Sequence, residues 1–470
     1  MQVKNIEGPP SAAESNFTFL WRIYALLLLS IPFSVACSFG GFSIEFPSEP
    51  LMVLLLILLV PILVKNRLHW RRIKQSPLLF LSFLWLIWMA LGIPWSFDPL
   101  VTAKYTLVAG THWLLFAYVP VLLGMNPLES VKKWFNYYTL SILIILLYAW
   151  YFHAQYNFRI DASVLVARPF YFDHALLSTS LLLLLGIYFF AIIKALFIDQ
   201  PLNLTNGGEV GKTWYYGLVL MFLLIGIYLS YSRAGWLSAI FAFAAVGVIV
   251  LYKHYFRLML GLTILFFCFL LWTGPSLFNQ IQQNQVESKM GTWWEQIISS
   301  ANVTTDVSNL ERLNRYSCAI RMFLDRPIRG FGTGTFERTY LSYQRPEEMT
   351  RISVTTTGPH PPGMGGGAHS EYFQALSEMG LLGLLLFLGL VLATIWTGIS
   401  IYWKAKLLEH RLLALALLFG LLTYFVHALF NNFFHHSKIA ILVWSSIAIL
   451  VNLKQIVKES SDDVSSKTIA

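Results

Sequence analysis

Charge is scarce in this 470-residue chain: Asp, Glu, Lys and Arg together make up 12% of it, about half the share of roughly 25% usual in soluble domains. That deficit excludes a water-soluble enzyme and a disordered chain. Cysteine is scarcer still. Cys37, Cys268 and Cys318 are too few and too scattered for a disulfide framework; two lie in apolar runs and the third stands alone in a polar segment, so neither a redox nor a zinc site is suggested. No HExxH, DxD or carboxylate triad offers a metal site. Basic residues outnumber acidic ones, 33 to 24. The Lys and Arg residues sit between apolar runs rather than in one patch, which argues against nucleic acid as a partner.

What the chain has in abundance is apolar surface, 56% of residues, with a mean hydropathy of +0.61. A spanning helix needs roughly 20 predominantly apolar residues. Runs of that kind fall at about 19–39, 49–64, 77–95, 103–125, 134–153, 174–196, 214–231, 235–252, 256–273, 377–403, 411–430 and 437–453. The expected fold is therefore an all-α polytopic membrane protein of about twelve transmembrane helices. The first run lacks an A-x-A-like exit and is long enough to span, so it reads as a helix rather than a cleaved signal.

Short-loop basic residues set the orientation. Lys65, Arg67, Arg71, Arg72 and Lys74 follow the second run, Lys132 and Lys133 precede the fifth, Lys253 and Arg257 follow the eighth, and Lys404, Lys406 and Arg411 follow the tenth. All fall inside if both termini are cytoplasmic. The opposite loops hold only Lys104, Arg159, Arg168, Arg233 and Lys438. The expected organisation is a cytoplasmic N-terminus (1–18), nine spans (19–273), a large outer loop (274–376), three spans (377–453) and a short polar tail (454–470) expected to be disordered. The 197–213 loop, with Asn206-Gly-Gly, reads as a simple inner linker.

The outer loop is the one sizeable polar region, and long loops in compact proteins are usually functional. Ser308-x-x-Glu311 reads as a capping box, opening a helix in which Leu313, Tyr316, Ile320, Phe323 and Leu324 recur at helical spacing as one apolar stripe. Arg312, Arg315 and Arg326 flank the stripe, Arg321 lies opposite, and Pro327 ends the helix. Between 274 and 370 the cations are eight Arg and one Lys. Arg is the residue for bidentate contact with phosphate or carboxylate, although each could equally pair with the loop's own acids. Gly330-Phe-Gly332-Thr-Gly334 either approaches a ligand through its backbone or forms a tight turn. Gly358 to Gly367 is expected to be flexible and non-helical. His369 then falls in the first turn of a helix, where the dipole disfavours imidazolium and suits a neutral general base.

Weaker features share that side. Arg233 interrupts an apolar region in Tyr231-Ser-Arg-Ala-Gly-Trp236, where a charge needs a partner such as a phosphate, or snorkels to the interface. Arg168 and Asp173-His174 could line the same cleft, although Asp173 and His174 could simply pair. His427, Asn431, Asn432, His435 and His436 read mostly as interfacial polar residues.

Taken in order, these motifs resemble the O-antigen ligase/polymerase superfamily. Ser232-Arg233-Ala-Gly-Trp-Leu is similar to its short Ser-Arg element. Glu311-Arg312-x3-Tyr316 through Pro327-x2-Gly330-x-Gly332-x-Gly334 resembles its outer-loop signature, and Ala368-His369-Ser370-x8-Met379-Gly380, with Glu378 inside it, its His element. Ser370 and Tyr316 stand where Asn and Trp are commoner. The resemblance implies a GT-C-like glycosyltransferase of the bacterial inner membrane with its active site facing the periplasm. It would need neither metal nor other cofactor, and would move a glycan from undecaprenyl diphosphate to a hydroxyl acceptor with inversion. Residue by residue, it implies that Arg233 and Arg312 hold the diphosphate and that His369 activates the acceptor; Arg168, Arg315, His174, Tyr316, Glu378 and Gly332 are the expected substrate contacts. Lipid A–core is the first expected acceptor, a growing glycan the second and protein a third. The competing class is a solute transporter, disfavoured because charges are nearly absent mid-span and no internal repeat is evident.

Overall fold

A computed structural model describes residues 12–39, 42–65, 70–197, 207–252, 307–349 and 366–469. The expected ninth run (256–273) and most of the glycine-rich stretch at 358–367 lie outside these residues, as does Asn206. Nine helices among the described residues are long and apolar enough to cross a membrane, so the protein is an all-α multi-pass membrane protein. Helix α1 is Ala12–Phe33, α2 Ser48–Lys65, α3 Trp70–Gln75 and α4 Pro77–Leu91. Then come α5 (Pro99–Leu122) and α6 (Pro127–Gln155), α7 (His174–Phe197) and α8 (Gly207–Leu229), and α9 (Arg233–Tyr252). Helix α10 is Val307–Asp325, α11 Phe336–Thr339, α12 Glu371–Lys404, α13 Leu408–His427 and α14 Ser437–Ile469. The apolar stretches of α1 and α2, Leu20–Phe33 and Ser48–Pro61, are shorter than the nine spans.

Local chemistry sets the boundaries. Asp98 and Asn126 accept backbone N–H bonds ahead of Pro99 and Pro127, so α5 and α6 begin several residues before the apolar runs do, as expected for a cap followed by proline. The first run ends as a helix at Phe33. Val35–Phe39 (β1) instead pairs antiparallel with Phe42–Phe46 (β2), placing Ala36 opposite Glu45. At the other terminus the polar tail is not irregular, because α14 continues to Ile469.

Helices α7, α13 and α14 are buried over most of their length and form the centre of the bundle, whereas α8 and α9 face outward. The tightest contact in that centre runs through glycine. A Cβ on Gly186 of α7 would lie 2.4 Å from the Ala416 carbonyl oxygen, and one on Gly420 of α13 would lie 2.6 Å from that of Leu183. Close backbone approach through small residues is the usual way helices pack where lipid removes the hydrophobic drive between them. At the same end of the bundle as the hairpin, Lys438 Nζ donates to the carbonyls of Ser34 (2.9 Å) and Phe170. That end carries a second, smaller core, in which Cys318, Ala319 and Met322 of α10 pack with Phe331, Phe336, Tyr340 and Ala368.

This second core corrects the expected apolar stripe. Leu313, Ile320 and Leu324 are exposed, and the docked face of α10 instead reads Glu311, Asn314, Arg315, Cys318, Ala319 and Met322. Small and polar residues go inward because the outer unit is organised around a buried ion pair, Glu311 with Arg315 at 2.9 Å. Glu311 Oε1 is thereby engaged with Arg315, while the Ser308 side chain of the expected capping box lies outside the described residues.

Candidate functional site

Three expected residues are positioned by helix starts. Helix α8 ends at Leu229, and Ser232 Oγ accepts the Gly235 N–H at 3.3 Å; the short Ser-Arg element is thus a cap that sets Arg233 at the first position of α9. The start of α9 lies against α7, since a Cβ on Gly235 would come 2.4 Å from Ser178 Oγ. His174 opens α7, with Asp173 accepting the Ala175 N–H at 2.7 Å. His174 Nδ1 is 3.4 Å from Asp173 Oδ1 without a hydrogen bond. Two helix N-termini, each a partial positive charge, therefore sit side by side, and the guanidinium groups of Arg233 and Arg312 both act on the His174 ring.

Arg312 reaches this point from α10, with Nη1 donating to Asn309 Oδ1 (3.1 Å) and Nε to the Phe430 carbonyl (3.4 Å). It also acts on His427, a residue read from the sequence as interfacial. His427 is fully buried at the end of α13, with Nδ1 3.1 Å from Thr179 Oγ1. No linear motif marks either residue; only the packing of α7 on α13 brings them to the cluster.

His369 completes it, one residue earlier than expected relative to its helix. Ser370 is the cap, accepting the Phe373 N–H at 3.5 Å, and His369 precedes it with φ +53°. That left-handed conformation is uncommon for a residue other than glycine and is held only where the surroundings enforce it, often at functional sites. The enforcing contacts are visible. Tyr316 Oη donates to the carbonyls of Leu429 (2.7 Å) and His369 (3.2 Å), while its ring stacks on Phe373 at 4.5 Å. Arg315 Nη1 donates to the Gly367 carbonyl at 2.7 Å, and Glu371 accepts the Phe434 N–H at 2.6 Å and the Tyr424 hydroxyl at 3.1 Å. Burial, then Arg315, then Arg312 lower the His369 imidazole to about 3, so the ring is neutral in the ligand-free protein. Burial pushes the Tyr316 phenol up to about 12.

Arg315 and Tyr316, expected as substrate contacts, thus direct polar groups to the segment that carries His369. Arg321 and Arg338 pair with acids, Glu348 and Asp98. Gly332 and Glu378 hold each other: the Gly332 N–H donates to the Glu378 carbonyl (2.8 Å) and the Phe336 N–H to Glu378 Oε1 (2.8 Å). The glycine-rich element is therefore a docked turn. It locks to α12 where two positive-φ glycines meet. A Cβ on Gly330 would lie 2.3 Å from the Glu378 carbonyl oxygen, and one on Gly380 would lie 2.3 Å from that of Ile328. Arg168 is exposed on the loop preceding α7, anchored through its carbonyl, which accepts the Tyr148 hydroxyl at 2.8 Å.

Two guanidinium groups, two adjacent helix N-termini and a neutral imidazole form a site suited to stabilising an anion next to a proton acceptor. Residues 218–388 match the family model described as O-antigen ligase (Wzy_C), a segment that includes Arg233, Arg312 and His369. No curated protein matches the chain.

Proposed function

Because the chain belongs over residues 218–388 to the O-antigen ligase family, we propose that it transfers a glycan from undecaprenyl diphosphate to a hydroxyl acceptor, lipid A–core in the first instance. Transfer would take place at the periplasmic face of the inner membrane, within a twelve-span GT-C-like bundle. The observation that carries this reading is the meeting of Arg233, Arg312 and a buried, neutral, left-handed His369 at one end of the bundle.

In this reaction the anomeric C1–O bond to the diphosphate breaks and undecaprenyl diphosphate leaves with the bonding electrons. Negative charge builds on the leaving oxygen in the transition state, where Arg233, Arg312 and the N-termini of α7 and α9 stabilise it. Fixed donors of this kind act without reorganising at the moment of reaction. The acceptor oxygen bonds to C1 from the opposite face, with inversion, and its proton passes to the His369 imidazole. A ligand-free imidazole held near 3 is a weak base. The donor's diphosphate offsets the charge of Arg312 and Arg315, which strengthens the base only once donor is in place, so an acceptor hydroxyl is not activated before donor has bound.

A polymerase that lengthens a lipid-linked repeat unit would use the same chemistry and differs only in its acceptor; a solute transporter is the alternative of another class. The deciding experiment offers purified protein an undecaprenyl-diphosphate glycan in EDTA, with lipid A–core in one reaction and a second copy of the donor in the other. Product on lipid A–core supports ligation, and lengthened donor supports the polymerase. Product in neither, from folded protein that carries a solute across vesicles, overturns the transferase reading.

A further inference from the structure

A cavity of about 340 Å³ is lined in part by the first turns of α12, the helix that follows His369. Its walls come from α4, α5, α12, the start of α14 and the hairpin strands, and the side chains of the Arg cluster do not line it. Its size falls within the range of roughly 300–1,000 Å³ typical of small-molecule pockets. Among its lining residues three hold a buried polar atom without a hydrogen-bond partner: Glu45 Oε2, Trp85 Nε1 and His112 Nδ1. Trp85 and His112 are more than nine-tenths buried, and His112 already engages Ser437 Oγ through Nε2 at 3.3 Å. Buried polar groups left unmatched are costly and rare. Here an acceptor, a donor and an imidazole nitrogen that can serve as either are grouped around one space.

We propose that this cavity binds a neutral, hydroxyl-rich glycosyl unit, a subsite of the transfer reaction and hence a deepening of the function proposed above. An anion is disfavoured because Glu45, Glu49, Glu371 and Glu378 outnumber Lys104 and Lys438 in the lining. A purely apolar ligand would leave the three polar atoms unmatched. Hydroxyl groups can both donate to Glu45 and accept from Trp85, and the aromatic faces of Trp85 and Phe434, with centroids 5.7 Å apart, offer flat apolar surface to a sugar ring. The position suits a substrate sugar. Gln374 lines the cavity, yet its Oε1 accepts the N–H of Ala368, next to His369, at 2.7 Å. A glycan seated in the cavity would thus share the Gln374 side chain with the segment that carries the base.

The test uses calorimetry on the full-length protein in detergent, with two probes: a neutral hexose oligosaccharide, and inorganic pyrophosphate. Trp85→Phe, which keeps an aromatic ring without the N–H, and Glu45→Gln, which keeps shape, should weaken the oligosaccharide roughly three- to tenfold while leaving pyrophosphate within about twofold, since each removes or weakens one hydrogen bond. Arg312→Ala should do the reverse. In transfer assays the same two variants raise KM for the acceptor if the sugar is the acceptor's, or for the donor if it is the donor's. Oligosaccharide that does not bind the wild type, or binding unchanged in both folded variants, or both probes weakened equally, overturns the proposal. Variant-sensitive oligosaccharide binding without any transfer would remove the transferase reading but keep the cavity. Intact transfer with insensitive binding would do the opposite.

Discussion

The state of His369 makes the pH dependence of the reaction unusually informative. An imidazole at its ordinary value near 6.5 is about nine-tenths protonated at pH 5.5. A free-protein base of that kind would lose roughly tenfold in rate between about pH 7.5 and 5.5. His369, lowered to about 3 by burial and by Arg315 and Arg312, stays almost wholly neutral over the same interval. Steady-state transfer should therefore show kcat/KM for the donor, which reports the free protein, varying less than about twofold across that interval. The donor-bound complex behaves differently. Its diphosphate offsets both guanidinium charges, the imidazolium becomes less unfavourable, and the acid limb of kcat moves up toward the ordinary imidazole range. His369→Gln should abolish the kcat limb. The reasoning fails if kcat/KM falls about tenfold with a midpoint near 6.5 and that fall vanishes in His369→Gln, because the free imidazole would then be ordinary.

Two further perturbations address what holds the base in place. Glu311→Gln leaves the Arg315 guanidinium buried without its carboxylate, a loss of roughly 3–5 kcal/mol for buried pairs. It should lower the melting temperature and kcat while leaving pyrophosphate affinity unchanged; wild-type melting and kcat would show that the pair does not position His369. Gly380 combines φ +68° with ψ −168°, a region essentially closed to other residues at a cost of order 1–3 kcal/mol. Its Cβ would also strike the Ile328 carbonyl. Gly380→Ala should thus release the glycine-rich turn and make the outer unit sensitive to limited proteolysis, and a protease-resistant, active variant would refute the interlock of Gly330 and Gly380.

Nine of the twelve expected spans are legible among the described residues, because each needs only length and apolar content. The ends are not. Hairpin pairing of Val35–Phe39 with Phe42–Phe46 depends on partners outside the run, and the helix of α14 persists to Ile469 through residues whose polarity alone suggests disorder. Arg233 stands out in the sequence as a charge interrupting an apolar region, and Arg312 and His369 as members of the one large polar loop. The face of α10 is misread, since a periodicity of Leu313, Ile320 and Leu324 carries no information about the Glu311–Arg315 pair that decides which side docks. His427, Thr179 and the three unmatched atoms of the cavity are invisible for a related reason: each belongs to a different helix or strand, and only the packed bundle brings them together.

The central claim, that Arg233 and Arg312 stabilise a leaving diphosphate while His369 accepts the incoming proton, is tested most directly by single-turnover transfer in EDTA. Wild type should be compared with Arg233→Ala, Arg312→Ala and His369→Ala, following undecaprenyl diphosphate release beside glycan product. Loss of either Arg should cost about 10²–10³ in rate, with donor affinity reduced as well. Loss of His369 should cost less, about 10², the lower end of the range for proton-transfer catalysis. Equal or reversed losses, or release of undecaprenyl diphosphate that does not match product one for one, would contradict it.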